Sequence, residues 1–186
     1  QHDCGQVRFV ATSAARDVSN RNAFFTGVRQ ALGVDAEVID GTEEARLSFA
    51  GAMSGVQVSD EPVLVIDCGG GSTELVLGRG TGIDSQVSIN IGSVRLRERF
   101  LHDDPPTVEQ IDAARNYVRE TLASCPVDVA AARTVIGVAG TVTSLSAIEQ
   151  GLTEYDRAKV HRSVLTVGQI SDLAGKLLSS TVDAVS

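Results

Sequence analysis

The sequence predicts an α/β fold, on the strength of two features. From Gln6 to Met53, strand-like runs alternate with segments of helical periodicity. From Val63 to Ile91, three strand-like runs follow one another around a glycine-rich turn, and helical patterns resume at Ser93.

Gln6 to Thr12 alternates polar and apolar side chains and then runs apolar, as a strand does. Phe24, Phe25, Val28 and Leu32 recur at helical spacing from Asn20 onward, and Gly33 closes that helix. Ala36 to Ile39 is a short strand. Gly41 then turns the chain, and Thr42 is the expected cap of a helix running through Met53 and ending at Gly55. Val63 to Ile66 is continuously apolar, the pattern of a strand covered on both faces. Thr73 to Leu77 returns antiparallel to it, and Gln86 to Ile91 alternates as a third strand. Ser93 to Leu101 is a short helix, broken by Asp103-Asp104-Pro105-Pro106. Thr107 and Gln110 form a capping box for a helix to about Ser124. Arg133 to Val138 is a strand, Ala139-Gly140-Thr141 leads into a helix to Gln150, and Gln169 to Leu178 is helical. Gly151 to Leu165 fits neither pattern. The polar stretch Ser54 to Pro62 marks a domain boundary, expected between residues 58 and 59.

The chain has 186 residues, 42% of them hydrophobic and 22% charged, as in ordinary soluble globular proteins. No apolar run approaches the roughly 20 residues that span a bilayer, and the N-terminus has no basic-then-apolar leader, so neither a membrane nor a signal peptide is expected. The chain opens without methionine into a strand-like run, which reads as a fragment whose beginning is missing. A net charge of −8 argues against nucleic-acid binding. It leaves room for a polyanion held by local cations and backbone amides. Cys4, Cys68 and Cys125 form no motif, and with His2, His102 and His161 scattered there is no zinc spacing. Widely spaced, odd-numbered thiols point to a cytoplasmic protein.

The densest chemistry lies in Asp67-Cys68-Gly69-Gly70-Gly71-Ser72-Thr73-Glu74. Glycines there can turn their amides outward, and successive amides make an anion-binding concavity. Ser72 and Thr73 add hydroxyls. Asp67 and Glu74 flank the turn with the oxygen ligands that Mg²⁺ prefers. A tight hairpin with polar dressing is the plainer alternative. Gly140-Thr141 stands between a strand and a helix, where amides favour anions. Arg16 follows a strand end, and a guanidinium suits bidentate phosphate binding. Glu43 and Glu44 open a helix, which the helix dipole alone would explain, while a carboxylate that orients water is what phosphoanhydride hydrolysis needs. Arg95, Arg97 and Arg99 alternate around a helix and read as a solvated face.

Together these segments resemble the exopolyphosphatase/guanosine pentaphosphatase (Ppx/GppA) family. The matching runs are Ala11 to Arg16 with Asn20, Ile39 to Arg46, Val65 to Leu75, Asn90 to Leu96 and Gly137 to Thr143, in family order. The resemblance implies an actin-like (ribonuclease H-like) fold of two domains around a cleft. Residues 1–58 would be the remainder of the first domain, and residues 59–186 the second. It implies Mg²⁺-dependent release of terminal phosphate from inorganic polyphosphate, or from guanosine pentaphosphate of the stringent response. By position, Glu44 would be the catalytic base and Arg16 a phosphate contact. Asp67 and Glu74 would support the metal, Gly69, Gly70, Gly71, Ser72 and Thr73 would cradle phosphate, and Gly140-Thr141 would line the opposing loop. The family's first phosphate loop would precede residue 1, its later helices would follow residue 186, and members often carry Ser where Asp40 stands. An actin-like kinase or ATPase, and a non-catalytic binder of polyphosphate or guanosine tetraphosphate, stay open as alternatives. Oligomeric state stays open too, a homodimer included.

Overall fold

In the computed structural model, residues 5–56 and 60–185 are described, with the backbone alone at 16 and 17. The expected boundary between 58 and 59 therefore lies outside the described residues, as do His2 and Cys4.

The first part of the chain holds a parallel pair, β1 (Phe9–Ala11) and β2 (Ala36–Val38), in register Phe9 with Ala36 and Ala11 with Val38. Between them run α1 (Ser13–Asp17), a single turn that the sequence pattern did not announce, and α2 (Arg21–Leu32). Gly33 ends α2 at φ 71°, a left-handed conformation that suits glycine. α3 (Gly41–Ser54) follows β2, and its cap differs from the expected one. Asp40, not Thr42, sits at the N-cap, and its carboxylate accepts the Glu43 amide at 2.8 Å. Asp40, two residues earlier, starts the helix on Gly41 itself.

The second sheet has strand order β5-β4-β3-β6. β3 (Val63–Cys68), β4 (Thr73–Arg79) and β5 (Gly82–Ile89) form the expected antiparallel meander. β5 begins four residues before the predicted Gln86 and stops at Ile89, where alternation outran pairing. α4 (Ser93–Phe100) and α5 (Val108–Ala123) precede β6 (Thr134–Val138), which returns to lie parallel to β3. α5 carries the predicted Thr107–Gln110 capping box. α6 (Ala139–Glu149) starts directly on β6 with no intervening loop. α7 (Arg157–Val160), α8 (Val167–Leu178) and α9 (Val182–Val185) complete the described chain. α8 has a second capping box, Thr166 with Gln169.

Strand alternation sorts β3 and β4 onto two cores. One face carries Val63, Val65 and Val76, covered by Ala45 and Phe49 of α3. The other carries Leu64, Leu75 and Leu77 with Val127. α3 belongs to the N-terminal side of the expected boundary, yet its apolar stripe is buried against this second sheet. Phe49, only 2% exposed, anchors it. Burying a side chain of that size contributes roughly 1.5–3 kcal/mol.

Candidate phosphate-binding site

At the carboxyl end of β3 the α3-facing core turns polar. In sheet register, Asp67 stands opposite Glu74, and Glu74 opposite Ser88. These lie on the face that carries Val65 and Val76 one pleat earlier. Glu74 is 1% exposed, and its Oε1 accepts the Ser88 hydroxyl at 2.7 Å. Ser48 of α3 donates to Asp67 Oδ2. α3 therefore lies across this row. Its first residue, Gly41, is pressed so closely on Ser88 that a Cβ there would collide with the serine side chain.

Glu44 lies one turn before Ser48 on the same flank of α3, because residues four apart share a helix face. It is half-buried, and its amide donates to the Asp40 carbonyl at 3.0 Å. Glu43 points elsewhere. It forks with Arg46 at 2.8 Å, and that hydrogen bond holds its carboxyl below the usual range. Arg8 reaches Glu37 at 2.7 Å and Glu43 at 3.9 Å, so an exposed charge cluster ties the β1–β2 pair to the start of α3.

Gly69 to Ser72 form a tight bend, with the Gly69 amide donating to the Ser72 carbonyl at 3.0 Å. α4 clasps the bend. Ser93 N and Arg95 N donate to the carbonyls of Gly69 and Gly70 at 3.0 and 3.1 Å, and Arg95 Nε donates to the Gly71 carbonyl at 2.8 Å. The carbonyls thus face α4. The amides of Gly70, Gly71 and Ser72 make no hydrogen bond to any described residue. A bend with its acceptors engaged and its donors available is built for an anion.

Other expected residues divide in their placement. Gly140 and Thr141 form the first turn of α6 rather than a loop, and Thr141 Oγ1 approaches Ser93 Oγ at 3.4 Å. Asp67 pairs in register with Val138, so both segments stand at neighbouring strand ends. Thr73 turns away: its hydroxyl donates to the Ile91 carbonyl at 2.7 Å, on the opposite sheet face from Glu74. Its hydroxyl is committed to holding the loop before α4. Arg16 lies in α1, with its side chain outside the described residues. α1 itself touches the bend, since a Cβ on Gly71 would stand 2.8 Å from Ser13 Oγ.

Sequence reasoning missed Arg95, Ser48 and Ser88. Arg95 shares its alternate spacing with Arg97 and Arg99, yet of these three only Arg95 hydrogen-bonds to the bend, while Arg99 lies 4.3 Å from the Tyr117 ring centre. The signal for Arg95 was its place in the Asn90–Leu96 segment. The two serines follow from spacing once a helix is laid over the strands: Ser48 is four residues after Glu44.

No group of three or more His, Cys, Asp or Glu side chains that could hold a metal occurs among the described residues. The donor pair Asp67–Glu74 nonetheless fits Mg²⁺, which takes one or two carboxylates and fills its shell with water and substrate phosphates. Two like charges set opposite each other on adjacent strands are also a liability that a divalent cation relieves.

The Ppx/GppA phosphatase family model matches residues 1–184. The chain belongs to that family. Among curated relatives, "Exopolyphosphatase 2" of Mycobacterium tuberculosis is 46% identical over 97% of this chain and 58% of its own length. The crystal structure of an exopolyphosphatase-like protein superposes with a TM-score of 0.90 at 47% identity, covering 97% of this chain and 59% of that one. A crystal structure of an exopolyphosphatase from Cytophaga hutchinsonii gives a TM-score of 0.79 at 30% identity, covering 92% and 56%. The chain thus spans somewhat over half the length of these Ppx/GppA relatives. The α/β class expected from the sequence is the fold of this chain, and these Ppx/GppA structures share it.

Proposed function

We propose that the protein carrying this chain is a phosphohydrolase that releases terminal phosphate from inorganic polyphosphate. Guanosine pentaphosphate presents a chemically similar terminal group and is the second substrate to assay. The observation that carries the reading is the bend at Gly69–Ser72, with the Gly69, Gly70 and Gly71 carbonyls engaged by α4 and the Gly70, Gly71 and Ser72 amides available, beside the Asp67–Glu74 carboxylate pair. The names of the relatives, exopolyphosphatases, support the same chemistry.

In this reading the amides of Gly70, Gly71 and Ser72 bind the oxygens of the terminal phosphoryl group. Gly140 and Thr141, in the first turn of α6, supply further donors from the adjoining strand end. Arg16 adds a guanidinium. Asp67, with Glu74 beside it, would hold Mg²⁺, which when bound neutralises phosphoryl charge. Glu44 orients the attacking water and accepts its proton, placed by the helix that Ser48 docks on Asp67. Residues 1–58 and 59–186 would act as two lobes, with α3 of the first packed on the sheet of the second.

The decisive variant is Glu44→Gln in the full-length protein. Loss of a general base costs roughly 10²–10⁴-fold in rate. Phosphate release from polyphosphate should fall by that factor while substrate binding persists. Near-normal release by the variant overturns the assignment, and absence of release by the wild-type protein from both substrates overturns the function.

A further inference from the structure

Ser13 is 4% exposed, yet its hydroxyl oxygen has no hydrogen-bond partner among the described residues. Buried hydroxyls almost always find one, and an orphan calls for an explanation. The position of this one is informative. A Cβ built on Gly71 would lie 2.8 Å from Ser13 Oγ and 3.4 Å from Ser13 Cβ, so the hydroxyl rests against the middle of the glycine bend. Ser13 does not cap α1 with its side chain, and Thr12, the residue at the cap position, makes no side-chain capping bond either. Backbone capping therefore does not account for a serine here.

The surroundings select a donor role. The bend's carbonyls are occupied by Ser93, Arg95 and the Gly69 amide, so they do not take the Ser13 proton. The adjacent bend amides are donors and cannot satisfy a hydroxyl proton. What would satisfy both is an oxygen with several lone pairs, placed at the bend and shared between amides and hydroxyl. A phosphoryl oxygen has that character, and its charge strengthens each donated bond.

We propose that Ser13 is a substrate-contacting residue whose hydroxyl donates to an oxygen of the phosphoryl group bound at the Gly70–Ser72 amides. The inference rests on the phosphate-binding reading of that bend. It assigns the β1–α1 junction a direct role in gripping the substrate beyond the cation supplied by Arg16. It also accounts for glycine at position 71, where any side chain would fill the space the hydroxyl uses.

The test is Ser13→Ala in the full-length protein, read by calorimetric binding of tripolyphosphate and by steady-state kinetics on polyphosphate. Loss of a hydrogen bond to a charged group should weaken tripolyphosphate binding about ten-fold. KM should rise by a similar factor, with kcat changed far less. The melting temperature should hold or rise, since the variant removes an unpartnered buried oxygen. That combination is not what a spacer would give. Unchanged tripolyphosphate affinity in Ser13→Ala, beside a wild type that binds it, overturns this inference alone. A wild type that binds no tripolyphosphate overturns both this inference and the reading beneath it. Should Ser13→Ala fold poorly, Gly71→Ala is the second variant, since its Cβ would crowd the hydroxyl and should weaken binding similarly; affinity unchanged there is equally contrary.

Discussion

At the scale of single residues, the site is a negotiation between like charges. Asp67 and Glu74 face each other across the β3–β4 pair, an arrangement that costs stability where no cation intervenes. Serine hydroxyls from α3 and β5 each soften one carboxylate, Ser48 on Asp67 and Ser88 on Glu74. Glu74→Gln separates the two functions of this charge. The amide keeps the shape and an oxygen that accepts the Ser88 hydroxyl, so the buried hydrogen bond survives. The like-charge repulsion disappears, and the melting temperature should hold or rise. Supporting groups of a metal site typically contribute 10–100-fold in affinity. The Mg²⁺ concentration for half-maximal phosphate release should therefore increase by at least about ten-fold in a metal titration of the full-length protein. A variant with unaltered Mg²⁺ dependence would remove Glu74 from the metal site. The sequence displayed both carboxylates, because they bracket a turn of obvious length. It did not display their serines, which come from distant segments and meet them only through tertiary packing.

At the scale of elements, α3 is the lever that brings Glu44 to the strand ends. Its apolar stripe settles on the sheet through Ala45 and Phe49, and its first turn is fixed by Asp40. Removing an N-cap side chain costs typically ~1 kcal/mol. Asp40→Ala should therefore lower both stability, in urea unfolding, and kcat, because the turn it releases is the turn that holds Glu44. Thr42→Ala should do neither, since Thr42 is exposed within the helix and Asp40 already holds the cap. Equal effects from the two variants would return the cap to Thr42. The sequence shows this helix and its end, but the cap it predicts is Thr42 where the structure uses Asp40, and both side chains are cap formers. Local chemistry permits each of them, and only the direction of entry from β2 chooses. The same limit applied at β6. Its apolar pattern was plain, but its pairing with β3, 71 residues earlier in sequence, is a non-local choice that no local pattern encodes. By contrast, the capping boxes at Thr107 and Thr166 rest on spacing alone, and the first was legible without any structure.

At the scale of the molecule, three segments converge on one bend: α1 through Ser13, α4 through its first turn, and β3–β4, which supply the bend itself. Gly92 is the point of closest approach. A Cβ there would overlap the Gly70 carbonyl and the Gly71 amide. Gly140 offers the opposite case, because a Cβ there would meet nothing and its φ is not in the left-handed region. The two glycines should respond in opposite directions to the same change. Gly92→Ala must push α4 off the bend, releasing the carbonyls that Ser93 N and Arg95 N hold, so the melting temperature should drop and tripolyphosphate binding should weaken. Gly140→Ala adds a side chain within a helical turn at a compatible conformation. Such changes stabilise by roughly 0.4–1 kcal/mol. The backbone amide is retained, so phosphate release should persist at the wild-type rate with a raised melting temperature. If Gly140→Ala instead abolishes release while folding more stably, the open space above residue 140 is itself occupied by substrate, and the α6 turn grips the phosphate chain by shape as well as by its amides.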